Sequence, residues 1–117
     1  MTASNPVLRR AAVMLERAGK KQKAPIWTDA SHLLSGPASN RVEVNLGRIS
    51  RIVEDGEAVF VPGKVLGTGV IVRKVTVGAF AFSDSAKSKI ESSGGTALTI
   101  EEFLKKYPKG SGVKLVK

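Results

Sequence analysis

Three segments of the sequence share one order: a short apolar stretch, a polar residue suited to capping a helix, and a short helical pattern. The first alternates over residues 42–44 and is followed by Asn45; the second ends at Ser83. In the third, Thr99 and Glu102 have the spacing of a capping box, in which each side chain satisfies the other's backbone amide. The caps fall at irregular intervals, so the repeat is degenerate. The pattern predicts a mixed α/β fold with short strands inside and small helices around them.

The core and the N-terminal region can be placed from the same reasoning. Residues 75–82 are apolar at almost every position, which is typical of a strand covered on both faces and predicts the centre of the core. Asn5 and Pro6 suit the start of a helix that Gly19 is expected to end. After a solvated turn at residues 20–23, Pro25 opens a second short helix that Gly36 closes.

The formal net charge of +9 is unevenly distributed. Residues 1–25 hold six cations and one acid, and residues 105–117 hold five cations and no acid. This sorting favours a polyanionic partner, because cations that neutralise phosphates release condensed counterions. A basic surface kept for solubility is the alternative. We expect one domain from the length, with a basic N-terminal helix and turn at 1–25, a globular core at 26–104 and a flexible basic tail at 105–117 that orders on RNA.

The composition excludes several classes of protein. The chain has no cysteine, one histidine and scattered carboxylates, so it offers no disulfide framework, thiol nucleophile or metal-ligand spacing. We expect no cofactor. Arg9 and Arg10 interrupt the start of the chain where a signal peptide would be apolar, and no apolar run approaches the roughly 20 residues that span a bilayer. The expectation is a soluble, cytoplasmic protein without a membrane partner.

The stretch VFVPGKVLGTG, residues 59–69, superficially resembles a nucleotide-binding loop. A P-loop needs a glycine five residues before its Gly-Lys pair and a Ser or Thr after it, where this chain has Ala58 and Val65. The dinucleotide fingerprint also fails, for want of a third glycine. The sequence instead predicts a turn at Pro62 and Gly63, with Lys64 at its tip as a phosphate contact.

Aromatic and titratable residues give no enzyme signature. Phe80 and Phe82 would share one face of a strand but lack the other residues of an RNA-recognition sheet, which favours a core role. Trp27 is expected to be a core anchor, with base stacking as the alternative. Asp29 and His32 could meet on one helix, but no nucleophile or oxyanion site accompanies them, which favours an ordinary helix pair.

Six short motifs occur in an order that resembles one family. They are NPVLRR at 5–10, KAPIW at 23–27, NRVEVNL at 40–46, VPGKVLG at 61–67, KVTV at 74–77 and PKGSG at 108–112. Together they resemble the L-eighteen-e family of archaeal and eukaryotic large-subunit ribosomal proteins, and the short N-terminal segment is similar to archaeal members. Residues 70–72 and Gly47 depart from the residues expected in that family.

The resemblance implies an irregular superhelix of strand, strand, helix units, related to the L-fifteen ribosomal proteins. It also implies a non-catalytic protein that binds large-subunit (23S-type) rRNA among neighbouring ribosomal proteins and takes no small-molecule substrate. A free-standing nucleic-acid-binding regulator is the alternative, and a small enzyme using Asp29 and His32 is a third. The predicted RNA-contacting residues are the exposed cations Arg9, Arg10, Arg17, Lys20, Lys21, Lys23, Arg41, Lys64, Lys74, Lys105, Lys109 and Lys114.

Overall fold

A computed structural model describes residues 5–37, 39 and 41–117. Asn40, the first residue of one matched motif, lies outside the described residues, as do residues 1–4 of the predicted basic N-terminal segment. In chain order the elements are α1 Pro6–Gln22, α2 Pro25–Leu34, β1 Val42–Asn45, α3 Leu46–Ile52, β2 Ala58–Leu66, β3 Thr76–Phe82, α4 Asp84–Ser92, β4 Thr96–Leu98, α5 Ile100–Lys106 and β5 Val113–Leu115.

The strands form one parallel sheet in the order β1-β2-β3-β4, and β5 also pairs with β2. β5 lies beside the first half of β2 and β1 beside its second half, while β3 occupies the other edge of β2. Parallel neighbours require a crossover between them, and α3, α4 and α5 lie in three of these connections. The predicted mixed α/β fold is confirmed, and the crossovers make the chain wind repeatedly around the sheet.

Two hydrophobic clusters cover the two faces of the sheet. The helix-side core joins α1, α2 and α5 to one face and contains Trp27, Phe60 and Phe103, all fully buried. The valine-side core joins α3 and α4 to the other face and contains Val59 and Val77. Residues 75–82 therefore do supply an inner strand, but the longest strand, at the centre of the sheet, is β2.

Gly19 does not end the first helix. The helix continues through Lys20 and Lys21, and the chain turns at Lys23, which has a left-handed φ of 51°. Gly19 is needed for a different reason: an added Cβ would lie 2.4 Å from Oγ1 and 2.9 Å from the backbone nitrogen of Thr28. The glycine therefore allows α1 and α2 to pack closely, and the expected solvated turn is mostly helix.

The turn predicted at Pro62 and Gly63 is also wrong, because both residues lie inside β2. The pairing with β3 shifts between Val61 and Lys64, so that β2 contains one extra residue there. A bulge of this kind accommodates proline, which has no amide to donate to the sheet. Lys64 is exposed on a strand rather than at the tip of a loop.

The C-terminal segment is not a flexible tail. Val113 to Leu115 form β5, and the amide of Val116 donates to the carbonyl of Phe60 at 2.9 Å. The glycine-rich sequence suggested disorder, but Gly110 and Gly112 have positive φ values of 69° and 74° and serve to turn the chain into the strand.

Two smaller predictions also differ from the structure. Phe80 packs against the helix-side core and Phe82 against the valine-side core, so they do not share a face, although both are half-buried. Asn45 precedes α3 as expected, but its side chain makes no capping hydrogen bond. The amide of Gly47 donates instead to the carbonyl of Thr68 at 3.1 Å.

Candidate RNA-binding surface

The two basic ends of the sequence meet at one end of the folded molecule. Nε1 of Trp27, in the first turn of α2, donates to the carbonyl oxygen of Pro108 at 2.9 Å. Gly110 lies against Ile26 and Trp27 so closely that an added Cβ would be 2.5 Å from Cγ2 of Ile26. The turn that carries Lys109 is thus held at the start of α2, directly after the point where α1 ends in Lys20, Lys21 and Lys23. Lys20, Lys21 and Lys109 are exposed and Lys23 borders the same surface.

Three arginines lie on the outward face of α1. Leu8, Ala11, Ala12 and Leu15 face the core, which turns Arg9, Arg10 and Arg17 toward solvent. The arginines border the partly exposed side chains of Val13 and Met14. The same helix therefore presents a cationic face that continues toward Lys20 and Lys21.

Arg41 and Lys64 are brought together at the junction of β1 and β2. Both line a cavity of about 190 Å³ next to the helix-side core, together with Glu43. Sequence separation gave no sign of this proximity. It arises because the parallel register places Glu43 opposite Lys64.

The remaining predicted cations lie apart from these groups. Lys74 follows the β2–β3 connection, and its aliphatic stem lies near Gly94. Lys105 lies on α5 with its ammonium 3.9 Å from the carboxylate of Glu101, one turn away and exposed. Exposed pairs at this spacing contribute little, so Lys105 can still contact a phosphate.

Lys114 differs from the other predicted cations because the protein itself occupies its ammonium. Nζ donates to the carbonyl of Ile52 at 2.7 Å and lies 3.1 Å from Oε1 of Glu57. Glu57 Oε1 also accepts the amide of Glu54 at 2.8 Å. That backbone hydrogen bond and, after it, Lys114 lower the pKa of the Glu57 carboxyl below its ordinary value. This cluster joins β5 to the segment after α3.

Because the folded-state pKa of Glu57 is lowered, its charged form stabilises the folded protein at neutral pH, and this contribution is lost as the pH falls through the folded-state pKa. We expect Glu57→Gln to lower the melting temperature at pH 7. The difference from the parent protein should shrink below the ordinary range of a glutamate pKa. Thermal unfolding followed by circular dichroism at about pH 7 and about pH 3 measures this. A difference that is the same at both pH values would contradict the assignment.

Sequence reasoning missed two arginines on α3. Arg48 and Arg51 are three residues apart and line an open concavity of about 370 Å³ with Asn45, Thr68 and Gly69. The signal that could have found them is the helical spacing of two arginines after the predicted cap at Asn45. By contrast, Lys89 has a structural role, since its Nζ donates to the carbonyls of Gly67 and Gly69.

The alternative sites considered from sequence gain no support from geometry. Asp29 and His32 both lie toward the outside of α2, away from its buried face. Among the described residues, no cluster of three or more His, Cys, Asp or Glu could hold a metal ion. No helix in the described part of the chain is long and apolar enough to cross a membrane.

The fold and its basic surface correspond to a known class of protein. Residues 43–98 match a family model described as ribosomal proteins 50S-L15 and 50S-L18e together with their 60S counterpart. Over 114 residues the chain is 45% identical to the large ribosomal subunit protein eL18 of Methanococcus maripaludis, covering 97% of this chain and 95% of that protein. It is 43% identical over 116 residues to eL18 of Archaeoglobus fulgidus, covering 99% of both chains. The chain belongs to the eL18 family of large ribosomal subunit proteins.

The family assignment confirms the resemblance inferred from the six motifs. It also confirms that the protein is a structural constituent of the large ribosomal subunit and not an enzyme. The match of the family model begins at residue 43, in β1, and ends at residue 98, in β4. It therefore covers the centre of the sheet and the α3 and α4 crossovers. The basic ends of the chain lie outside the match to the family model, whereas the alignments to the archaeal relatives span nearly the whole chain.

Proposed function

We propose that this protein binds large-subunit rRNA and stabilises its tertiary structure mainly through the basic end of the molecule. We define the basic end as Lys20, Lys21, Lys23 and Lys109. The observation that carries the proposal is the hydrogen bond from Trp27 to Pro108, which joins the two cationic segments of the sequence into one surface. Neighbouring large-subunit proteins complete the environment on cytoplasmic ribosomes.

The physical basis is electrostatic. Folded RNA brings phosphates close together, and fixed cations between the strands offset their repulsion. The described residues contain three ion pairs, and two of these join exposed residues one helical turn apart. With 19 Lys and Arg residues against 10 acids, most of the positive charge is not neutralised by the protein's own carboxylates. The cationic surface stays available to an external polyanion.

The packing of the molecule supports binding by shape rather than by a base code. α1 is fixed to α2 by the close contact at Gly19 and by the hydroxyl of Ser31, which donates to the carbonyl of Ala12 at 2.7 Å. A rigid helix pair holds its cations at fixed positions. We propose that the RNA-contacting set consists of the basic end, the arginines of α1, the Arg41 and Lys64 pair, Lys74 and Lys105. Lys114 should contribute least, because Glu57 and Ile52 already engage its ammonium.

The basic end can be tested through the salt dependence of binding. Exchange of Lys20, Lys21 and Lys23 for glutamine should reduce the magnitude of the slope of log affinity against log salt by about two to three, at roughly 0.7 to 0.9 for each phosphate contact that the exchange removes. Filter binding of a large-subunit rRNA transcript between low and moderate salt measures the slope. Glutamine has a helix propensity close to that of lysine, so the fold should not change.

A matched control separates local contacts from overall charge. Lys87 on α4 and Lys117 at the C-terminus are exposed and lie outside the proposed contact set. Their exchange for glutamine should change the slope much less per charge removed. Equal effects per charge would refute the basic end as a contact surface. Sucrose-gradient sedimentation tests the alternative of a free-standing regulator: the proposal requires sedimentation with large subunits at moderate salt, whereas a regulator stays near the top.

A further inference from the structure

We propose that the concavity lined by Arg48 and Arg51 is a second phosphate-binding site, which holds an RNA segment different from the one held by α1 and the basic end. This α3 site consists of Asn45, Arg48, Arg51, Thr68 and Gly69. It rests on the proposed RNA-binding function and adds to it a bridge between two RNA segments. Its ligand class is the phosphodiester backbone of RNA.

The side chains of the α3 site are suited to phosphate. Among the described residues, neither Arg48 nor Arg51 forms an ion pair, and Arg51 is exposed. A guanidinium binds phosphate oxygens with two parallel N–H donors. Asn45 is exposed and its side chain does not cap α3, so its carboxamide also remains available as a donor.

The floor of the α3 site is backbone held at close range. The amide of Gly47 donates to the carbonyl of Thr68, and Gly69 has a φ of +95°. A Cβ at Gly69 would lie 2.7 Å from both the Cα and the nitrogen of Gly47. Lys89 fixes the same loop by donating to the carbonyls of Gly67 and Gly69 at 2.7 and 3.0 Å. The loop is therefore positioned before any ligand arrives, and its two glycines place no side chain in the space that a backbone phosphate would enter.

The position of the α3 site makes it distinct from α1. α3 packs on the valine-side core and α1 on the helix-side core, so the sheet separates them. One RNA strand following α1 would have to pass around the edge of the sheet to reach Arg51. Two separate RNA segments, one on each side, satisfy both surfaces more simply. The carboxylate of Glu43 also borders the α3 site, so its charge opposes phosphate binding there.

The test uses the full chain and a transcript of the complete large-subunit rRNA. Arg48→Gln with Arg51→Gln should reduce the magnitude of the salt slope by about 1.5, because two phosphate contacts are removed. The control pair Lys87→Gln with Lys117→Gln removes the same charge. Glu43→Gln should strengthen binding and leave the fold intact. Equal slope changes in the two double variants, or no gain in affinity with Glu43→Gln, would overturn the α3 site.

Photo-crosslinking distinguishes the failure of this inference from the failure of the proposed function. A photoreactive side chain is placed at position 51 or, separately, at position 14 on the outward face of α1. We expect the two positions to crosslink to different rRNA segments. Crosslinks from position 14 alone, or from both positions to one segment, would overturn the bridge and leave the proposed function standing. No crosslink from position 14 would overturn the proposed function, and with it the bridge.

Discussion

Replacement of Trp27 by alanine is expected to lower the free energy of unfolding by about 3–5 kcal/mol, the usual range for deletion of a fully buried large aromatic side chain. Trp27 is completely buried and packs edge-on against Phe60 and Phe103, with ring centroids 5.3 and 5.9 Å away. It therefore joins α2, β2 and α5 in one contact. Because a domain of this size has a total stability of roughly 5–15 kcal/mol, the change removes a large share of it. Guanidinium unfolding followed by circular dichroism measures the change, since the variant lacks the only tryptophan.

Trp27→Phe is the matched control. It keeps an aromatic ring in the core but removes the N–H that bonds Pro108, so the carbonyl is left without this partner at a cost of about 1–3 kcal/mol. Without denaturant this variant should remain folded, yet bind rRNA with a smaller salt slope, because the turn carrying Lys109 is no longer tied to α2. A decrease below about 1 kcal/mol for Trp27→Ala would show that the helix-side core does not depend on this residue.

Local patterns were enough to predict the fold class and several element boundaries. The capping box of Thr99 and Glu102 is present in the structure, with both reciprocal hydrogen bonds at 2.9 and 3.2 Å. Asn5 caps α1 through Val7 and Leu8, and Ser83 caps α4. These signals depend on residues within one helical turn, so the sequence contains everything that determines them. Trp27 was also identified correctly as a core anchor.

The wrong predictions mostly depended on partners distant in sequence. Gly19 has the local signature of a helix end, but Thr28 across the helix pair determines its role. Residues 109–114 have the composition of a mobile segment, yet β2 supplies a parallel edge that makes 113–115 a strand. The proximity of Arg41 to Lys64 and the concavity beside Arg51 likewise follow from strand register and loop packing. Candidate contact residues can thus be proposed from charge, but their grouping into surfaces requires the fold.

Gly63→Ala is expected to have the second large effect, at about 3 kcal/mol, the upper end of the usual range for overpacking. An added Cβ would lie 2.0 Å from the carbonyl oxygen of Val42 and 2.8 Å from its carbonyl carbon. These are backbone atoms of β1, so no side-chain rotation can relieve the clash. β1 would have to move away from β2, which breaks the pairing of Val42 with Gly63 and displaces Arg41. Denaturant unfolding gives the change in stability, and hydrogen exchange should show reduced protection of the β1 amides.

Gly56→Ala separates steric crowding from backbone conformation. Gly56 has a φ of +85° but nothing within 4 Å of an added Cβ, so alanine there should cost only about 1–2 kcal/mol, for the left-handed conformation. Gly63 has no positive φ, so its cost must come from contact with β1. If Gly63→Ala were no more destabilising than Gly56→Ala, β1 would be loosely held. The Arg41 and Lys64 pair would then be formed by RNA binding rather than by the fold, because only a fixed β1 keeps the two cations together in the unbound protein.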